Sequence, residues 1–223
     1  MEKKLKYSTV IFDLDGTLLD TIEDLGEAVG YALSKRGLPG HGMDQYRKMV
    51  GNGIRNLVKR ALPENLREDE KYLDAALADF REYYCAHIDV HTRPYDGIPE
   101  LLSSLQDRGV RLAVASNKFQ SGAEHLAREF FPDIDFVAIL GNAPSLPLKP
   151  SPEVVERILT LTGSPKGETA FVGDSGVDMR TALNAGVHPV AVLWGFRGVE
   201  EFGDAEKKAS NPGELKAILL GER

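Results

Sequence analysis

The chain reads as an α/β protein, a doubly wound parallel sheet interrupted by an all-helical insertion. Three observations predict this. A short apolar strand at the start ends abruptly in two acidic residues; a block of purely helical pattern follows it; and from Pro99 onward helix and strand alternate to the end. At 223 residues the chain can hold a main domain with a smaller one set into it. The expected boundaries are 1–15 and 94–223 for the sheet domain and 16–93 for the helical one.

The first strand is Thr9-Val-Ile-Phe12, an apolar run that stops at Asp13 and is followed by Asp15 and Gly16. Asp20 is placed to cap a helix through Ile22, Leu25, Ala28, Val29, Ala32 and Leu33, with Glu23 as capping-box partner and Gly37 at its end. Pro39, Gly40 and Gly42 break the chain. Helical spacing then predicts helices over 43–50, 54–62 and 68–88, a bundle near the minimum size for its own core, with 93–97 as the return linker. Beyond it come a helix over 99–108, a strand over 110–115 ending at Ser116-Asn117, a helix from about 121 to 130 and a strand over 136–140. A Pro-rich loop leads to Lys149-Pro-Ser-Pro152 and a helix over 153–162. A strand over 169–173 stops at Asp174; Asp174-Ser-Gly-Val-Asp178 opens a helix to Ala185; a strand over 190–193 precedes Trp194-Gly-Phe-Arg197 and a last helix near 213–220.

Composition narrows the function classes. A hydrophobic content of 42% with 27% charged residues is that of a globular protein in water, and no apolar run reaches the length of about 18 residues that a membrane span needs. Met1-Glu-Lys-Lys-Leu-Lys6 leads into the first strand rather than into a signal peptide's apolar segment, so a cytoplasmic location is expected. A single cysteine, Cys85, cannot form an internal disulfide. The net charge of −7 argues against nucleic acid as a partner and gives an anionic substrate no help from the overall field, so any phosphate must be caught locally.

Two carboxylates at one strand end repel by about 1 kcal/mol even in bulk water, and more in a sheltered crevice, so a cation is expected beside Asp13 and Asp15. Mg2+ suits hard oxygen ligands completed by water and phosphate. A calcium loop is excluded, because counting from Asp13 puts Leu18 and Asp24 where it requires Gly and Glu. In open α/β sheets ligands bind outside the carboxyl ends of the strands. Asp13 and Asp15 follow the first strand, Ser116 and Asn117 the second, Lys149 the third, Asp174 and Asp178 the fourth. Taken singly these are an ordinary loop lysine, a turn and a capped helix start; delivered in series to one sheet edge they make a site. Cys85, His87 and His91 lie close together but lack a second ligand cluster at zinc spacing. Gly51-Asn-Gly53 is no dinucleotide fingerprint, since no strand precedes it. Trp194 and Phe196 are read as packing beside the site, with Arg197 in reach of a ligand.

Asp13-Leu-Asp-Gly-Thr-Leu-Leu-Asp-Thr21 resembles the first motif of the haloacid dehalogenase superfamily in its phosphatase branch, and the later groups resemble its remaining motifs in order. The resemblance implies a Rossmann-like core with Mg2+ as cofactor. It makes Asp13 the nucleophile and Asp15 the acid and base, with Asp13, the Asp15 backbone carbonyl and Asp174 on the metal. Ser116, Asn117 and Lys149 would grip the phosphoryl oxygens, and Asp178 would hold a metal-bound water or orient Lys149. The inserted helices resemble the small cap of the phosphoglycolate phosphatase and phosphoglucomutase branch. Met49-Val-Gly-Asn-Gly53 with Leu57 and Arg60-Ala-Leu62, and Trp194-Gly-Phe196, resemble phosphoglycolate phosphatases. On the cap, Gly51, Asn52, Gly53 and Arg55, with Arg47 as a further donor, would meet the substrate. The implied activity is Mg2+-dependent hydrolysis of a small phosphorylated metabolite, phosphoglycolate first among them, by a monomer or dimer. The alternatives are a sugar-phosphate mutase of the beta-phosphoglucomutase type, whose Ser-Arg cap pair is absent around Val50 to Ile54, a pyrophosphatase or nucleotidase, and a catalytically silent binding protein. Dehalogenases and phosphonoacetaldehyde hydrolases lack a carboxylate at the place of Asp15.

Overall fold

The computed structural model describes residues 5–203, 205 and 207–222. In chain order its strands are β1 (Thr9–Phe12), β2 (Leu19–Asp20), β3 (Arg93–Pro94), β4 (Arg111–Phe119), β5 (Phe136–Asn142), β6 (Thr169–Gly173), β7 (His188–Val192) and β8 (Lys207–Ala209). The helices are α1 (Ile22–Ser34), α2 (Met43–Met49), α3 (Ile54–Ala61), α4 (Glu70–Ala86), α5 (Ile98–Asp107), α6 (Gln120–Phe130), α7 (Glu153–Thr162), α8 (Gly176–Ala185) and α9 (Pro212–Leu220).

Among the described residues six strands form one parallel sheet in the order β5-β4-β1-β6-β7-β8. The chain builds outward from β1 through β4 to β5, then returns to β1's other side with β6, so strand order reverses beside β1. That reversal opens a crevice at the carboxyl ends of β1, β4 and β6. Side chains alternate between two apolar layers, as strand geometry requires. Val10, Phe12, Leu112, Val114, Ala170 and Val172 face α5, α6 and α9, whereas Ile11, Ala113, Ala115 and Phe171 face α7 and α8. Burial on both faces explains why β1 and β6 read as continuous apolar runs.

The insertion is helical from α1 to α4, joined to the sheet at one place. Entering β2 and leaving β3 pair antiparallel, Leu19 opposite Pro94 and Asp20 opposite Arg93, and the Tyr95 amide donates to the Leu18 carbonyl at 3.2 Å. Asp24 fastens this crossing. Its buried carboxylate accepts the His91 amide at 2.9 Å, the Thr92 amide at 2.8 Å and the Thr92 hydroxyl at 2.7 Å. Leu25, Val29, Leu57, Leu73, Phe80 and Tyr84 pack inside the helical part, and their cluster runs on into the sheet layer of Val10 and Phe12. The helical part therefore shares buried surface with the sheet instead of closing a core of its own.

Several expected details differ. β4 runs four residues past its expected end at Ala115, so Ser116 and Asn117 lie within a strand and not on a turn. The first helix is led by Thr21 with no side-chain cap; Asp20 Oδ1 accepts only the Ile22 amide, at 3.3 Å, and Glu23 closes no capping box. β2, β3 and β8 were not expected, being too short for any pattern to register. No helix of the described residues is long and apolar enough to cross a membrane.

Candidate active site

Asp13 emerges where β1 ends, and its Oδ1 accepts from the Leu14 amide at 2.7 Å and from Lys149 Nζ at 2.9 Å. Lys149 Nζ also lies 2.7 Å from Asp178 Oδ1, with Lys149 only 2% and Asp178 0% exposed at the side chain. A sequestered ammonium survives only if its partners offset the lost hydration, and two carboxylates do so here. Burial pulls the Lys149 pKa down, but Asp13 and Asp178 more than reverse it, so the lysine stays charged. Asp178 is fixed in turn by the start of α8. Ser175 caps that helix, and its amide and hydroxyl donate to Asp178 Oδ2 at 3.1 and 2.6 Å in a reciprocal capping box.

Asp174 sits at the tip of β6 under three constraints. The Thr17 hydroxyl reaches its Oδ1 at 3.3 Å and the Phe196 amide its Oδ2 at 2.7 Å, while Trp194 Nε1 donates to the Thr17 carbonyl at 3.1 Å. The third is close approach of backbone. Gly16 has φ +83° and a Cβ there would stand 2.4 Å from Asp174 Oδ2; one on Gly195 would stand 2.3 Å from the Asp174 Cβ. Both positions need glycine to let two loops close on the carboxylate.

Ligand atoms of Asp13, Asp174 and Asp178 lie within 4.8 Å of one another. Burial foremost, then Asp178 and Asp15, push the Asp13 pKa up to about 7 against the pull of Lys149; burial, Asp178 and Asp13 likewise raise that of Asp174. Unscreened carboxylates this close repel by about 3 to 4 kcal/mol per pair at an effective dielectric near 20. The four acids Asp13, Asp15, Asp174 and Asp178 face two buried ammonium groups, Lys149 and Lys118. They leave a formal charge of minus two beside hard oxygen donors, a set that can hold a divalent metal ion.

Ser116 Oγ accepts the Lys118 amide at 3.2 Å. Asn117 is a tie: its Oδ1 accepts the Lys149 amide at 2.8 Å, and its Nδ2 donates to the Lys149 carbonyl at 3.2 Å and to the Gly51 carbonyl of the helical part at 3.1 Å. Lys118, not singled out from the sequence, is buried between Asp15 and Tyr84. A cleft of about 550 Å³, counting space open to solvent, is lined from the sheet by Asp13, Asp15, Ser116, Asn117, Lys118 and Asp174. Opposite stand Leu25, Val50, Gly51, Gly53, Ile54 and Leu57, with Phe196 and Arg197 closing one side.

The structure brings the predicted sheet residues together and places the cap residues unevenly. Gly51 and Gly53 line the cleft, but Arg55 does not: its guanidinium turns outward to Asp74 Oδ1 at 2.5 Å and to Glu70 on α4. The reason is local, since α3 directs this side chain toward an acidic helix face. Asn52 is taken by Arg60, which donates to its Oδ1 at 2.7 Å. Arg47 also lies outside the lining. Arg197, expected within reach of a ligand, lines one side of the cleft, where it donates to the Lys48 carbonyl at 2.9 Å and to the Val50 carbonyl. Cys85, His87 and His91 form no shared site among the described residues; the His87 ring stacks on Tyr83, and His91 faces Glu27.

Comparison with known proteins agrees with this geometry. Residues 10–192 match the family described as Haloacid dehalogenase-like hydrolase. The chain is 32% identical over 191 residues to a phosphoglycolate phosphatase of Aquifex aeolicus (strain VF5), covering 84% of this chain and 85% of that one. It is 37% identical over 191 residues to a phosphoglycolate phosphatase of Pseudomonas syringae pv. tomato, covering 84% and 70%. The crystal structure of a candidate phosphoglycolate phosphatase from Lactobacillus delbrueckii subsp. bulgaricus superimposes with a TM-score of 0.91 at 31% identity, over 97% of this chain and 100% of that one. Acid cluster, lysine and sheet edge thus fall within one matched region, and the chain belongs to the haloacid dehalogenase-like hydrolases as a phosphatase of phosphoric monoesters.

Proposed function

We propose that this phosphatase hydrolyses small phosphomonoesters with Mg2+ through an aspartyl phosphate on Asp13, and that phosphoglycolate is its substrate. The observation that carries the proposal is Lys149 Nζ bridging Asp13 and Asp178, with Asp174 in ligand range of both. Asp13 attacks phosphorus while the ester oxygen leaves with a proton from Asp15; water then attacks phosphorus, returns a proton to Asp15 and frees phosphate and Asp13. Lys149, held by Asp178, and Ser116 would grip the phosphoryl oxygens, their charge and dipoles fixed before the reaction. Asp13, Asp174 and the Asp15 backbone carbonyl would hold Mg2+, which when bound supplies Lewis-acid stabilisation of the phosphoryl group.

The opposite wall supports this choice of substrate. It is aliphatic beside the first turn of α3, whose N-cap Gly53 brings no side-chain acceptor of its own. The free amides there are a fitting partner for the carboxylate of glycolate. Cytoplasmic residence belongs to the same proposal, and the single, exposed Cys85 agrees with a reducing compartment.

The test is phosphate release from a panel of phosphorylated metabolites, with and without Mg2+, in the native protein and Asp13→Asn. Phosphoglycolate with the highest kcat/KM, dependent on metal and on Asp13, is the expected result. A rank below many unrelated esters removes the named substrate, and isomerised sugar phosphate without phosphate release overturns hydrolysis itself.

A further inference from the structure

Lys118 has no part in the steps above, yet its side chain is 1% exposed. An ammonium so deeply placed is explained by its partners. Nζ lies 2.9 Å from Asp15 Oδ1 and 2.6 Å from the Tyr84 hydroxyl. Asp15 comes from the loop after β1, Lys118 from β4 and Tyr84 from α4 of the insertion. Tyr84 is itself immobilised, stacked on Phe80 with ring centres 5.2 Å apart and meeting Phe119 edge on. Asp15 Oδ1 takes a second donor, the Thr21 hydroxyl at 2.7 Å. Its other oxygen, Oδ2, has no hydrogen bond among the described residues, and Asp15 lines the cleft.

We propose that Lys118 is a positioning residue for the acid–base carboxyl of Asp15. It fills Oδ1 so that Oδ2 carries the proton toward the leaving oxygen, and Tyr84 braces it from the inserted helices. The proposal rests on the reading of Asp15 as general acid and base. In the first step the bond from Asp13 to phosphorus forms, the bond from phosphorus to the ester oxygen breaks, and the proton on Asp15 Oδ2 passes to that oxygen. In the second, the attacking water gives a proton back to the same Oδ2. Without Lys118 only the Thr21 hydroxyl is left to hold Oδ1, the carboxyl swings, and its proton is no longer aimed at the leaving oxygen. A lysine serving only as packing or as a substrate contact has no reason to depend on how badly the leaving group needs a proton.

That dependence is the test. kcat/KM reports the step in which the ester bond breaks, so it is measured over phosphomonoesters running from alkyl esters to nitrophenyl phosphates. The native protein is compared with Asp15→Asn, Lys118→Met, Lys118→Arg and Tyr84→Phe. Asp15→Asn and Lys118→Met are expected to lose about 100-fold or more on alkyl esters and less than about 10-fold on nitrophenyl phosphates, since only the former need a general acid. Lys118→Arg recovers part of the alkyl activity, and Tyr84→Phe shows the same tilt at a few-fold. If Asp15→Asn tilts the series and Lys118→Met lowers every ester equally, the proposal falls and the role of Asp15 stands. If Lys118→Met raises KM for carboxylate-bearing esters alone, the lysine is a substrate contact and the proposal is likewise overturned. Should Asp15→Asn itself show no tilt, the underlying reading fails and takes this one with it. If Lys118→Met does not fold, Tyr84→Phe decides, and a flat loss there counts against the brace.

Discussion

The sheet and the inserted helices build the two walls of one cleft from opposite materials. On the sheet side stand Asp13, Asp15, Ser116, Lys118 and Asp174, side chains fixed by one or two hydrogen bonds each at the ends of buried strands. On the helical side stand Leu25, Val50, Ile54 and Leu57 with the bare backbone of Gly51 and Gly53, while the charged Arg55 and Lys59 turn away to Glu70, Asp74 and Glu68. Asn117 and Arg197 hold the second wall by its backbone, at the carbonyls of Gly51, Lys48 and Val50, and Tyr84 adds one side-chain hydrogen bond, accepted from Lys118. Reaction chemistry needs charges placed to a fraction of an ångström, so it belongs on rigid elements; selection needs shape, and shape can change while backbone docking is kept.

The largest expected effect breaks the polar wall. Asp13→Asn should lower kcat by at least about 10⁴-fold, as removal of a nucleophile does, and acid-quenched protein should carry no phosphate. Retained turnover would mean that another group attacks.

Metal removal should be next. Chelation is expected to lower turnover by about 10³-fold or more, restored by Mg2+. The sign with pH follows from Asp13. Burial, helped by Asp178 and Asp15, lifts its pKa from 3.8 to about 7, so between these values the folded metal-free protein holds a proton that the unfolded chain has released. This group's contribution to stability therefore falls as pH rises through that window. An ion must displace that proton, so Mg2+ should raise the melting temperature more at pH 8 than at pH 6. Thermal denaturation at both values, with and without Mg2+, checks it; a larger rise at pH 6 would exclude Asp13 as a ligand.

Changes in the apolar wall should be smaller and selective. Leu57→Ala, which truncates a buried side chain facing the cleft, should cost about 2 to 4 kcal/mol of stability and shift the kcat/KM ratio between phosphoglycolate and larger esters by about tenfold. An equal loss for all esters would contradict a selecting role for this wall. Smallest of all, Arg55→Ala should change kcat/KM by less than about threefold and stability by less than about 1 kcal/mol, because its ion pairs are exposed. A large rise in KM would return Arg55 to the substrate.

The same contrast decides what could be read from the chain. Asp13 with Asp15 and Asp174 with Asp178 are legible because their spacing is local and each pair directly follows an apolar strand. The parallel α/β order was equally plain, since strands buried on both faces announce themselves as apolar runs. Lys118 was not. Its neighbours in sequence, Asn117 and Phe119, say nothing about an ammonium whose partners, Tyr84 and Asp15, lie 34 and 103 residues away. Ser116 and Asn117 suggested a turn for the same reason, since polar residues at a site imitate a strand's end while β4 continues through them. Arg55 was misplaced because composition gives charge but not direction, which depends on the acidic face of α4. The amide of Phe196 on Asp174 has no side-chain signature at all.

The paired β2 and β3 place Asp20 and Arg93 side by side, so the insertion leaves and rejoins the sheet through a single doorway. A graft exploits this. The stretch between those two residues can be exchanged for another helical segment whose ends meet at the same spacing, provided that it again covers the buried surface shared with the sheet. Where both ends of a segment share one threshold, evolution and protein engineers alike can refit the room beyond it and leave the foundations alone.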